Sequence, residues 1–463
     1  MRGVENVLDL LDSNYPQANG YINNLCETFK KNNNIPSEYF DNPYVKKGLR
    51  NSDGTGVVAG ITKIGNVHGY VLNEGELEAV EGQLTYRGYD VKDIVTSVIK
   101  DGRYGFEEVC WLLLMGDLPT HEQLADFNRL FEVFRELPDS FLDDLITKSP
   151  CRDIMNQLSR SVLSLYSYDD NPDDLSVENI MRQSIQIMAQ MPMIMVTAYQ
   201  VKRRAFDHKS MYFHHPKQGL STAENILRLL RSDKTFTEQE AHLLDIMMIL
   251  QAEHGGGNNS TFATRVVSST GTDTYAAIST GINSLKGPKH GAANHKVTNM
   301  VEDIKENVSN WEDESELKDY LAKIVRKETG DKSGLIYGMG HAVYTISDPR
   351  AIILKENAYN LAKGTEFEKE FNLISSIEKL SPDVLAEIKK HDRHICANVD
   401  MYTGFVYRML GIPSDLTTPL FAVSRIPGWC AHRLEEVFTS KKIIRPAYKT
   451  ITTNSVYIPL DKR

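Results

Sequence analysis

Along most of the chain apolar residues recur at spacings of three and four, the period that lays a single stripe down a helix. Ile226, Leu227, Leu229 and Leu230 form one stripe before a polar stretch at 232–237, and residues 241–252 form the next. Residues 118–146 and 351–390 show the same period, with breaks predicted near Pro138 and Pro382. The most apolar run, 185–201, carries Gln186, Gln190 and Gln200, is flanked by Arg182 and Lys202, and has Pro192 in its middle. A membrane span needs about 20 mostly apolar residues, so this run reads as a buried helix kinked at Pro192. The exception is 56–89, where β-branched residues alternate with Gly and Asn and predict a small strand or hairpin region. The fold class is mainly α, with minor β near the N-terminus.

At 463 residues the chain is too long for one hydrophobic core, because single cores stop growing at roughly 250–300 residues. A net charge of −10 argues against a general nucleic-acid surface, which needs a basic stripe. Any anionic ligand must therefore meet a local basic pocket on an acidic protein. Cys26, Cys110, Cys151, Cys396 and Cys430 are odd in number and scattered, which reads as reduced thiols in a cytoplasmic protein. The acidic start lacks the apolar core of a signal peptide.

Several motifs lead nowhere. Gly338-Met339-Gly340 has no third glycine and no βαβ surroundings, so a dinucleotide loop is excluded. His214-His215 and the pair His391 and His394 lie in polar segments without a matching carboxylate arrangement, and read as solvated histidines. Lys202-Arg203-Arg204 reads as a solvated helix end with favourable dipole placement.

Four segments put polar groups beside small residues in apolar surroundings. They are Gln251-Ala-Glu-His254-Gly-Gly-Gly-Asn258, Gly287-Pro-Lys-His290-Gly-Ala-Ala-Asn294, Gly338-Met-Gly-His341 running on to Asp348-Pro-Arg350, and Asn398-Val-Asp400-Met-Tyr-Thr-Gly404. Singly each has an ordinary explanation: His254 as a helix cap, His290 as a turn residue after Pro288, His341 as a satisfied core histidine, Asp400 as an N-cap. Together and in this order they resemble citrate synthase. The family's GP-x-HG-x-AN signature stands at 287–294, its GxGH…DPR signature at 338–350, its NVD-x-x-x-G signature at 398–404 and an R-x-x-GW segment at 425–429, followed by Arg445-Pro446. The likeness extends from Tyr86-Arg87-Gly88-Tyr89 to Pro446, and the first fifty or so residues carry no motif of it.

The resemblance implies a two-domain helical homodimer that condenses acetyl-CoA with oxaloacetate and hydrolyses the citryl thioester. It implies a large domain from 1–290 and 404–463, and a small domain inserted at 291–403. It assigns Asp400 as the base and His290 as hydrogen-bond donor to the thioester oxygen, since a methyl proton beside a thioester is too weak an acid for a carboxylate alone. His341 polarises the ketone of oxaloacetate, and Arg350, Arg425, Arg445 and His254 hold that substrate, guanidinium forks matching carboxylates bidentately. Arg445 is expected to reach across from a partner subunit. No metal or cofactor is expected, the CoA thioester being a substrate. Two positions depart from the pattern: Thr345 stands where many members carry a basic residue for CoA phosphate, and Gln251 replaces a common histidine. The alternatives are a 2-methylcitrate synthase using propionyl-CoA and, from another class, a non-catalytic dicarboxylate or acyl-CoA sensor.

Overall fold

The computed structural model describes residues 18–33, 35–40, 45–51, 55–73, 76–291, 293–389, 395–440 and 442–463; His391 and His394 lie outside them. The chain divides into two units, 1–61 and 62–463. The first holds helix α1 (Ala18–Asn32) and two short helical turns, Ser37–Phe40 and Lys47–Leu49. Residues 23–33, 35–39, 45–51 and 55–61 are exposed or half-buried.

The second unit opens with an antiparallel sheet, β1 (Gly65–Asn73), β2 (Glu76–Tyr86) and the two-residue β3 (Tyr89–Asp90), in the order β1-β2-β3. This is the hairpin that alternation predicted in 56–89. Helices α2 (Val91–Asp101), α3 (Phe106–Met115), α4 (His121–Phe134), α5 (Ile154–Leu165), α6 (Val177–Phe206), α7 (Thr222–Leu230) and α8 (Glu238–Gln251) follow. Then come α9 (Asn259–Ser268), α10 (Thr274–Lys286), α11 (Ala293–Asn307), α12 (Glu314–Val325), α13 (Pro349–Ala362), α14 (Glu368–Lys389), α15 (Asp400–Met409) and α16 (Thr417–Thr439). Capping residues start many of them. The Thr120, Ser221 and Thr237 side chains close reciprocal capping boxes on α4, α7 and α8.

Helix α16 is the axis of the core. It packs against α3, α6, α8, α9 and α10, and it is buried on nearly every side from Thr417 to Leu434. A helix apolar or small all round must be enclosed. Gly428 permits this contact: a Cβ there would lie 2.4 Å from the Ala252 carbonyl oxygen. Beside it α11 packs on α15, α12 on α14, and α13 on α14 and α15, with α13 joined to α8 and α11 to α16.

Three expectations need correction or refinement. The break in 351–390 falls at 363–367, between α13 and α14, where Gly364 takes a left-handed φ of +76°. Pro382 sits inside continuous α14. An interior proline costs about 3 kcal/mol, and the buried Ile377, Leu380, Val384 and Leu385 on either side hold the helix through it. His214 is half-buried, with Nε2 3.1 Å from the Arg231 carbonyl oxygen. Lys202 lies in the last turns of α6 but pairs with Asp415 at 2.6 Å and Asp207 at 3.4 Å rather than facing water. Helix α6 itself runs through Pro192, with 185–201 largely buried. No helix among the described residues is long and apolar enough to cross a membrane.

Candidate active site

Three chain segments converge on one group of side chains. The first leaves α8 at Gln251 and delivers Glu253 and His254. The Arg425 guanidinium of α16 reaches it, its Nε donating to the Gln251 carbonyl oxygen. The second is the turn after α10. His290 N–H donates to Gly287 O at 2.9 Å and Gly291 N–H to Leu285 O at 3.0 Å, which fixes where the His290 ring begins. Its Nε2 lies 3.2 Å from Ser260 Oγ. Ser260 Oγ also accepts from Trp429 Nε1 at 3.2 Å and lies 2.8 Å from Asn258 Oδ1.

The third segment is a pair of strands of loop zipped together. Gly340 N–H donates to Cys396 O, Asn398 N–H to Gly338 O and Asn398 Nδ2 to Gly340 O, each at 2.8 Å. Gly338 has a φ of +85°, and a Cβ there would lie 3.0 Å from Met401 Cα, so only glycine lets the loop seat on the start of α15. Asn398 Oδ1 then accepts from Asp400 N–H at 3.0 Å. Asp400 is thus the first residue of α15, and Val399 holds the N-cap position without a side-chain bond. The loop presents His341 in a defined tautomer. Its Nδ1 accepts from the N–H groups of Val343 and Tyr344, both at 3.1 Å, so the ring proton sits on Nε2. Tyr344 stacks on the ring at 4.6 Å, and the His254 ring meets His341 edge-on at 5.2 Å.

The electrostatics follow from burial among cations. Burial, then the charges of Arg350, His341, Arg425 and His290, hold the His254 imidazole well below its usual range. His290 is pushed down to about 4, by burial first and then by Arg425. Both rings are therefore neutral near pH 7. Burial raises the Asp400 carboxyl to about 6, with Arg350 opposing and Asp348 adding to the rise. Arg350 is buried and forms a two-point pair with Asp348, at 3.0 Å from Nε and 2.8 Å from Nη2. Burial disfavours its charge, but Asp348 outweighs this and holds it above the usual guanidinium range. Arg425 is lowered to about 10 by burial, with Glu253 working the other way. Its Nη1 is buried and without a partner among the described residues.

The structure therefore brings together His254, His290, His341, Arg350, Asp400 and Arg425. It does not bring Arg445 to them: that residue is exposed on the extended stretch after α16. Among the described residues neither the buried Gln251 Nε2 nor the buried Thr345 Oγ1 has a partner. Sequence reasoning missed Ser260, Tyr344 and His432. Asp348 stood within a motif without a role of its own. Only its spacing of two from Arg350 could have flagged it, and Ser260 carries no local signal at all.

A family model described as citrate synthase, C-terminal domain, matches residues 53–447. The chain is 33% identical over 407 residues to citrate synthase of Haloferax volcanii, covering 86% of this chain and 98% of that relative. It is also 33% identical over 427 residues to 2-methylcitrate synthase 1 of Corynebacterium glutamicum, covering 90% and 98%. Among solved structures, the ternary complex of Thermoplasma acidophilum citrate synthase with carboxymethyl coenzyme A and oxaloacetate is similar with a TM-score of 0.71 at 26% identity, covering 87% of this chain and 97% of that one.

Proposed function

Because the chain belongs to the citrate synthase family, we propose that it condenses acetyl-CoA with oxaloacetate and hydrolyses the citryl thioester, releasing citrate and CoA. The observation that supports this best is Asp400, a carboxylate raised to about 6 near Arg350, whose charge also reaches the neutral His254. A base of that strength is ionised near pH 7, yet its desolvation makes it a better proton acceptor than an ordinary carboxylate.

In this reading Asp400 removes the methyl proton and His290 donates to the developing enolate oxygen. The Ser260 hydroxyl proton has two acceptors within reach, Asn258 Oδ1 and His290 Nε2. Turned to His290, it leaves the imidazole proton on Nδ1 for the thioester. His341 offers Nε2–H to the ketone, and being neutral it polarises the oxygen without giving up a proton beforehand. The Arg425 fork takes one carboxylate of oxaloacetate, with Arg350 and His254 beside it. Arg445 completes the pocket from a second copy of the chain, which makes the active species a homodimer. Closure of 291–403 over the rest, with hinges near His290 and Asp400, excludes water from the enolate. No metal is required in this scheme, and the scattered free thiols fit a cytoplasmic location.

The test is thiol release from acetyl-CoA with and without oxaloacetate. Oxaloacetate-dependent release is the expected outcome, and its absence from folded protein points to the sensor reading. A 2-methylcitrate synthase is favoured equally by identity, since the chain is 33% identical to a relative of either kind. A kcat/KM higher for propionyl-CoA than for acetyl-CoA would select it, one methylene in a pocket being worth about 1–3 kcal/mol.

A further inference from the structure

Behind the site lies a buried acid that this chemistry does not use. Glu253 is fully buried. Its Oε1 accepts from Gly255 N–H at 2.5 Å and lies 3.0 Å from His432 Nε2. Arg265 Nη1 is 2.8 Å from His432 Nδ1. A guanidinium only donates, so Nδ1 accepts and the ring proton sits on Nε2, aimed at Glu253. Arg265 is anchored in turn by Glu435 at 2.8 Å and Glu436 at 2.9 Å.

The geometry places this acid close to Arg425. His432 follows Arg425 by two turns on α16, so the two share a face. Gly428 stands between them, and a Cβ there would lie 2.5 Å from Glu253 Oε2. The carboxylate thus rests on bare backbone one turn from Arg425. Its Oε2 and Arg425 Nη1 are both buried, and neither has a partner among the described residues. Opposite charges attract strongly in so dry a setting, and two incomplete ones this near would pair unless one were tethered.

We propose that His432, oriented by Arg265, is a positioning residue that tethers Glu253 as a remote counter-ion and stops it pairing with Arg425, which keeps the Arg425 fork open for a substrate carboxylate. The inference rests on the reading of Arg425 as a carboxylate ligand. It goes beyond that reading in assigning the buried Glu253–His432–Arg265 chain a part in substrate affinity.

The experiment is a double-mutant cycle read by oxaloacetate calorimetry and steady-state kinetics, with folding checked by circular dichroism. H432L frees Glu253 and should raise the oxaloacetate Kd by about tenfold or more, with the acetyl-CoA KM little changed. E253Q/H432L has no carboxylate left to pair with Arg425 and should restore binding to within about threefold of wild type. A double variant as weak as H432L would overturn the proposal, because damage to packing is not repaired by a second lesion. If H432L does not fold, E253Q decides: loss of the negative charge should tighten oxaloacetate binding by about threefold or more, and unchanged or weaker binding overturns the inference. A crystal structure of the first folded variant that keeps Glu253, H432L or H432Q, separates this from the functional reading. With the donor removed in H432L, Glu253 should lie within ion-pairing distance of Arg425. With an amide donor kept in H432Q, it should remain on Gly255. Either result reversed overturns the tether even if wild type proves not to bind oxaloacetate.

Discussion

Arg350 and Arg425 do similar work in the proposed site but are held by opposite means. Arg350 is matched at once by Asp348, two residues away, and that carboxylate also accepts from Val399 N–H at 3.2 Å, joining the His341 loop to the start of α15. Arg425 has no such neighbour among the described residues. Its charge is offset from a distance by Glu253, and its Nη1 has no partner among those residues. In the proposed site the first arginine is therefore part of the scaffold as much as of the pocket, whereas the second is assigned chiefly to the substrate. A buried pair resists loss of either member, because removing one leaves the other charge buried and uncompensated.

The largest effect should come from the Arg350 side, where the proposed base stands. Asp400→Ala is expected to lower kcat by about 10²–10⁴-fold, while oxaloacetate binding by calorimetry is retained, since the proposed carboxylate contacts lie on the arginines. Equal loss of both would make Asp400 a structural residue.

The contrast between the arginines is tested directly by replacing each with Met. Arg425→Met should weaken oxaloacetate binding by about 2–5 kcal/mol, roughly 30-fold or more, and leave the thermal midpoint unchanged or higher. Arg350→Met strands buried Asp348 and should cost about 3–5 kcal/mol of stability, seen as a lower midpoint in calorimetric melts. Similar melting losses for both variants would erase the distinction.

The smallest effect is a pH dependence. The Asp400 carboxyl titrates at about 6 in the folded chain and at about 3.9 when unfolded. The folded state thus binds the proton more tightly, so this group's contribution to stability falls as pH rises from about 4 through 6. Asp400→Asn removes that penalty and should raise the midpoint above pH 6, with the gain fading below it. The acid limb of kcat/KM for the wild type should fall near the same pH.

Much of this was legible before the fold. Stripes at three and four residues foretold helices, and alternation foretold the hairpin, because both patterns are local records of which face is buried. Six of the seven expected site residues converge, because short motifs carry their own geometry: Gly338 and Gly340 shape the loop that presents His341, and Asp348 reaches Arg350 within the same turn. Other features left no such record. A proline normally ends a helix, yet α14 passes through Pro382, since packing on both flanks outweighs a local cost that the sequence displays and a tertiary gain that it hides.

The sequence by itself determined the class of fold, the order of the motifs and the local pairing at 348–350, since each depends on neighbours along the chain. Only the tertiary structure decided the tautomer of His341, the bare Arg425 fork and the Glu253–His432 contact, whose partners are 179 residues apart. A contact across that distance depends on where α8 and α16 cross, and that crossing is set by the packing of the whole core.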